Sequence, residues 1–116
     1  MELNPTADSF GSPLNSTSIA YEASRIIKSG PGNLYGLSGY NSKATAQFIQ
    51  IYDASSLPTD NAVPVTIINV PATTNYSVDF GVYGRRFSIG IVACNSSTGP
   101  TKTIGSADCW FDGRYS

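Results

Sequence analysis

Beyond residue 18 the chain falls into short apolar-rich runs separated by Gly, Pro, Asn, Ser and Thr, at the spacing of a β-sandwich or barrel. The runs are IAYEASRIIK from Ile19, NLYGLSGY from Asn33, TAQFIQIYD from Thr45, VPVTIINV from Val63, NYSVDF from Asn75, RRFSIGIVAC from Arg85 and TIGSADCWF from Thr103. Tyr76, Val78 and Phe80 alternate with Ser77 and Asp79, and Phe87, Ile89, Ile91 and Ala93 alternate with Ser88, Gly90 and Val92. Period two of this kind gives a strand one apolar face, so both runs are expected in the core. Pro64 and Pro71 bracket the fourth run, which predicts a short strand with ends unable to donate ladder bonds. The first run also carries Ile19, Glu22, Ala23, Ile26 and Ile27 at helical spacing after the cap candidate Ser18. Tyr21, Ala23, Arg25 and Ile27 fit a strand instead, and the strand is favoured because GPGN follows as a natural turn.

The first 18 residues keep neither period and hold Pro5, Gly11 and Pro13 among Asn, Ser, Thr and Asp. They read as an extended arm without a core of its own, with Leu3, Phe10 and Leu14 as isolated apolar anchors. An arm with spaced anchors can lie in a groove of a neighbour; packing on its own domain is the alternative. The expected organisation is an arm over residues 1–18 and one all-β domain over 19–116, a β-sandwich or jelly-roll-like fold of about seven strands.

Composition narrows what such a domain does. With 116 residues, 13% charged, seven Lys and Arg and eight Asp and Glu, the chain forms a single core with a nearly neutral surface. No field steers it onto a polyanion, so nucleic acid is not an expected partner. No apolar run approaches the roughly 20 residues of a membrane helix, and the first residues lack the basic start and apolar middle of a signal peptide. A soluble protein made in the cytoplasm is the expectation. Histidine is absent, which removes the commonest neutral-pH base and zinc ligand.

Ser29-Gly30-Pro31-Gly32-Asn33 lacks the Gly-Lys-Ser/Thr ending of a phosphate loop, and its proline removes a backbone donor, so it reads as a turn. Gly36 and Gly39 mark a bulge, or places where another backbone or an aromatic ring packs closely. Asp53 and Asp60 look like loop caps and Asp79 and Asp108 lie on polar strand faces; spacing alone leaves open a carboxylate pair of glycosidase type. The serines have no histidine or Ser-x-x-Lys partner, and Cys94 and Cys109 sit in apolar runs where thiolate is disfavoured. A hairpin centred near Thr98 and Gly99 separates the two sulfurs by about 20 Å along the ladder, so free, largely buried thiols are expected unless the chain crosses sheets. No cofactor or metal, and no catalysis, is expected.

Candidate contact residues are therefore the anchors Leu3, Phe10 and Leu14, the doubled charge Arg85-Arg86, and the terminal aromatics Trp110 and Tyr115. Trp110 and Phe111 point to opposite faces of one strand, so one of them leaves the core. A row of Tyr35, Tyr40, Tyr52 and Tyr83 would instead make a sugar-stacking platform.

RIIKSGPGNLYGLSGYN, a strand ending FIQIYDASSLPTD, a proline-flanked apolar strand and FGVYGRRFSIGIVACNSSTGPTKT, in that order, resemble small structural proteins encoded by tailed bacteriophages. In those, a strand of the type IKASPGNLY leads to one of the type FVQLFDA, and a later aromatic turn leads to one of the type GIxIAxSTT. The resemblance covers about three quarters of the chain and omits the arm. It implies a β-sandwich or jelly-roll virion component, such as a capsid cement or decoration protein. Its implied partners are the major capsid protein and further copies of itself as a dimer or trimer, with the capsid surface as its location. A carbohydrate-binding sandwich or receptor-binding fibre component is the other reading.

Overall fold

Residues 14–116, which the computed structural model describes, form nine strands and no helix. They are β1 (Leu14–Thr17), β2 (Ser24–Lys28), β3 (Gly32–Asn41), β4 (Gln47–Asp53), β5 (Thr66–Val70), β6 (Thr74–Asp79), β7 (Arg85–Phe87), β8 (Ile91–Ser96) and β9 (Cys109–Tyr115). One sheet has the order β1-β9-β3-β6, with β7 on β3 as well, and the other has β2-β8-β4-β5. Every pairing is antiparallel.

Leaving out short β7, the pairs β4–β5, β3–β6, β2–β8 and β1–β9 nest inside one another. This is one long hairpin rolled into two sheets, and β3–β9 and β4–β8 are the seams that close each sheet. Such nesting is the jelly-roll arrangement, so the expected fold class is observed.

Alternation decides what each strand buries. In β6, Tyr76 is buried and Val78 half-buried, while Asn75, Ser77 and Asp79 are exposed, as the period of two requires. In β3 the buried positions include Leu34, Leu37, Gly39 and Asn41, and Leu34 and Leu37 pack with Ile49, Ile51, Phe87, Ile91, Ala93 and Phe111 into the core. The register of β3 against β9 shifts between Leu34 and Gly36, the bulge the glycine pattern predicts. At Gly39 a Cβ would lie 2.0 Å from the Trp110 carbonyl and 2.4 Å from the Tyr76 hydroxyl, so only glycine lets the neighbouring strand and ring come this close.

Three expected runs are redrawn. RRFSIGIVAC is two strands, β7 and β8: Asp53 accepts hydrogen bonds from the amides of Ser88, Ile89 and Gly90 and from the Ser88 hydroxyl. That capture bends the chain between the strands, and Ile89, expected in the core, is 55% exposed. In TIGSADCWF only Cys109 onward is a named strand, which continues to Tyr115; Ile104 makes an isolated bridge to Ser96 before the chain crosses to the other sheet. That crossing, rather than distance along one hairpin, separates Cys94 on β8 from Cys109 on β9, and both thiols are free and buried. Of IAYEASRIIK only Ser24–Lys28 is strand. Within the arm predicted over 1–18, Leu14–Thr17 form β1, an edge strand on β9.

Candidate functional site

The edge where β1 meets β9 carries a feature that leaves apolar side chains both exposed and firmly held. After β1 the chain stays tied to β9 at two points. Ser18 N donates to the Phe111 carbonyl at 2.8 Å, and Phe111 N donates to Ser18 Oγ at 2.9 Å. Glu22 N donates to the Cys109 carbonyl at 2.6 Å. Between these ties five residues, 18 to 22, face three, 109 to 111, so Ile19, Ala20 and Tyr21 arch away from the strand opposite Trp110.

The feet of the arch are locked by side chains. Ser18 Oγ donates to Glu22 Oε2, which also accepts from Arg25 at 3.0 Å, and Arg25 Nε donates to Ser16 Oγ at 2.8 Å. Asp112 accepts from Asn15 and Thr17, fixing β1 on the outer side of the same edge. Under Trp110, its carbonyl accepts from the Tyr76 hydroxyl at 3.1 Å, which holds the strand where Gly39 leaves room. Ser18, Ile19, Ala20, Tyr21 and Trp110 line an open groove of about 430 Å³. Ile19 is 100% exposed and Tyr21 51%. A tethered, fully exposed isoleucine beside a tryptophan is the kind of surface that marks a contact with another molecule.

The outer face of the other sheet is finished differently. Tyr52, Val92 and Cys94 point outward there, yet Ala54, Leu57 and Ala62 from the β4–β5 connection cover them. Gln50 Nε2 donates to the carbonyls of Thr98, Gly99 and Thr101, and its Oε1 accepts from the Tyr52 hydroxyl. Lys102, buried, pairs with Asp60 at 2.6 Å and binds the cover to the β8–β9 connection. That pairing, together with the Ile104 amide, holds the Asp60 carboxyl below its usual range. Burial pushes the Cys94 thiol up to about 12 and the Cys109 thiol up to about 11, so neither supplies a thiolate.

Of the predicted contact residues, Leu3 and Phe10 lie outside the described residues. Leu14, half exposed, opens β1 opposite Tyr115, which packs on the core. Trp110 leaves the core while Phe111 is fully buried, as their opposite faces require. Arg85 stacks on the Phe87 ring at 5.0 Å and Arg86 is exposed, but β7 pairs with the first residues of β3 whereas Trp110 pairs with Tyr40 near its end. The two groups are therefore not brought together.

The tyrosine row is not assembled either: Tyr52 is buried on one sheet, while Tyr35 and Tyr40 lie on the other. The five aspartates of the described residues hold local structure: Asp53 the β7–β8 bend, Asp60 Lys102, Asp79 the Gly81 amide, Asp108 Lys43, and Asp112 β1. Residues 18 to 21 carried no motif, and their tie to β9 spans some ninety residues of sequence; the only local sign was an Ile-Ala-Tyr triplet with no settled period.

No protein-family model matches the chain, and no curated protein sequence matches it. Among solved structures it is similar to the coat protein of Tobacco streak virus, at 14% identity and a TM-score of 0.44, over 90% of this chain and 85% of that one.

Proposed function

We propose that this protein is a structural virion component of a tailed phage, a capsid cement or decoration protein. In this role it binds the major capsid protein as one of several symmetric copies, without catalysis or cofactor, on the capsid surface. The observation that carries the reading is the arch: an apolar surface with Ile19 fully exposed, pinned at both ends to β9 and not covered by any loop of the described residues. A binding surface of this kind suits repeated contacts on a shell, where many modest interfaces add through multivalency.

Two further lines support it. The ordered motifs from Arg25 to Thr103 resemble phage structural proteins, and the jelly roll is an architecture of viral capsid domains. The second of these weighs less, because lectin domains share the fold and fold alone does not give function. Sugar binding draws on Tyr21 and Trp110, which stand together in the groove. A sugar site also needs polar groups converging on the ligand, and the Ser18 hydroxyl is already engaged by Glu22 and the Phe111 amide.

The test is whether the protein co-purifies with intact particles at a fixed ratio to the major capsid protein. A ratio near that of shell positions is expected. Absence from particles would overturn the reading, and a few copies per particle would move the protein to the neck or tail.

A further inference from the structure

We infer that the open edge of β5 is a self-association surface, on which β5 of a second copy lies antiparallel about a two-fold axis. This pairing deepens the assembly reading by giving its symmetric copies a contact, and rests on that reading only for its biological purpose.

β5 ends the β2-β8-β4-β5 sheet, and among the described residues no strand pairs with its other side. An edge strand leaves alternate backbone N–H and C=O groups without a ladder partner, so proteins guard their edges with charge, bulges or short strands. The other edges carry such guards. β2 bears Arg25 and Lys28 and shifts register between Ile26 and Lys28. β6 exposes Asn75, Ser77 and Asp79, β7 is three residues with two arginines, and β1 is four residues with Asn15 and Thr17 engaged by Asp112. By contrast, β5 pairs with β4 without a break in register and carries no charge. Its residues Ile68 and Val70 pack on the core, while Val63, Val65 and Ile67 form an exposed apolar stripe beside the open edge.

The occupant that fits such an edge is a strand, and two features select the chain's own. No Asp, Glu, Lys or Arg occurs between Asp60 and Asp79, so two copies of this edge meet without setting like charges together. Pro64 and Pro71 offer no backbone N–H and bound the segment that can pair. Residues opposite each other in an antiparallel pair share a face, so the two-fold axis passes at a residue and not between two. An axis at Ile67 sets residues 65–69 against the same residues in reverse, with the prolines of both copies just outside. Ile67 then meets Ile67 of the second copy, and the exposed stripes join on one face. The two four-stranded sheets become one sheet of eight strands, a closed pair with no edge left to propagate at β5. β5 has five residues, short of the roughly 20–30 a side of a standard interface, so the pair is expected to form at high concentration and part on dilution.

Amide exchange of the isolated full chain, followed by NMR at low and high concentration, tests the pairing. The β5 amides directed away from β4 are expected to slow by about tenfold or more at high concentration, with those of β2 and β6 unchanged. Exchange that ignores concentration, or slows only outside β5, overturns the inference. Amides of β5 that slow only when particles are added also overturn it, since another protein then covers the edge. Charge tests the contact at the axis. Ile67 is exposed, so Ile67→Lys and Ile67→Glu chains are expected to fold, to stay unpaired alone at every concentration and to pair when mixed. A mixture that stays unpaired, or an Ile67→Lys chain that pairs alone, counts against it. A chain that pairs through β5 and never joins particles sinks only the assembly reading; one that joins particles with its β5 edge open sinks only the pairing.

Discussion

The two outer faces of the jelly roll put apolar side chains on their outward positions, and the chain treats them in opposite ways. On the β2-β8-β4-β5 sheet, Tyr52, Val92 and Cys94 are roofed by Ala54, Leu57 and Ala62, and the roof is fastened by Gln50 and by the Lys102–Asp60 pair. On the other sheet, Trp110 of β9 and Ile19 of the locked arch have no roof among the described residues. Covering the first face required burying the Gln50 amide, bonded through both its nitrogen and its oxygen, and the Lys102 ammonium, paired with Asp60, a demanding arrangement. The chain thus has the means to shelter an outward apolar cluster, and where the shelter is missing a partner is the natural cover.

Four changes, ordered by their effect on stability, and Gly30→Ala as a control for the first, break or sharpen this contrast. Gly39→Ala strikes beneath Trp110, since its Cβ would meet the Trp110 backbone at 2.0 Å. It is expected to cost about 3 kcal/mol, read from the denaturant midpoint. Gly30→Ala, where a Cβ meets nothing within 4 Å, should stay within about 0.5 kcal/mol. Gln50→Leu unfastens the roof, leaves the Tyr52 hydroxyl without its acceptor and should cost about 2–3 kcal/mol. Its specific sign is faster thiol labelling of Cys94, under the roof, with Cys109 in the main core unchanged.

Asp53→Asn tests the bend that joins the faces. Partial desolvation raises this carboxyl, but the amides of Ile89, Ser88 and Gly90 and the Ser88 hydroxyl outweigh it, so its pKa is lowered on folding. A lowered folded value means the stabilisation is present above the unfolded carboxylate pKa of about 3.9 and is lost as pH falls through the folded value. Native protein should therefore exceed Asp53→Asn at neutral pH, by about 1 kcal/mol or less given solvent screening, and the two should converge in acid. Ile19→Ser removes a fully exposed side chain, so the denaturant midpoint should hold within about 0.5 kcal/mol while association with other copies or particles weakens. A loss of stability instead would make Ile19 part of the fold rather than of a contact.

The local features of the fold were legible in the sequence. Period two placed Tyr76 inward and Ser77 outward, opposite parity sent Trp110 out and Phe111 in, and Gly39 marked a close approach of backbone and ring. What escaped was set by pairings remote in sequence. Ile89 keeps the core period on paper, but Asp53, thirty-six residues away, captures its amide and turns it to solvent. Leu14–Thr17 look like the rest of the arm until Asp112 and the β9 backbone give them a partner. The arch was hidden for the same reason, and only Trp110 among its walls was foreseen.

Hydroxyl-radical footprinting of isolated and assembled protein compares the two faces most directly. Trp110 and Tyr21 should lose reactivity on assembly, with the roofed Tyr52 unreactive in both states. Unchanged reactivity at Trp110 and Tyr21 in the assembled state would contradict the assignment of the arch as the surface that assembly covers.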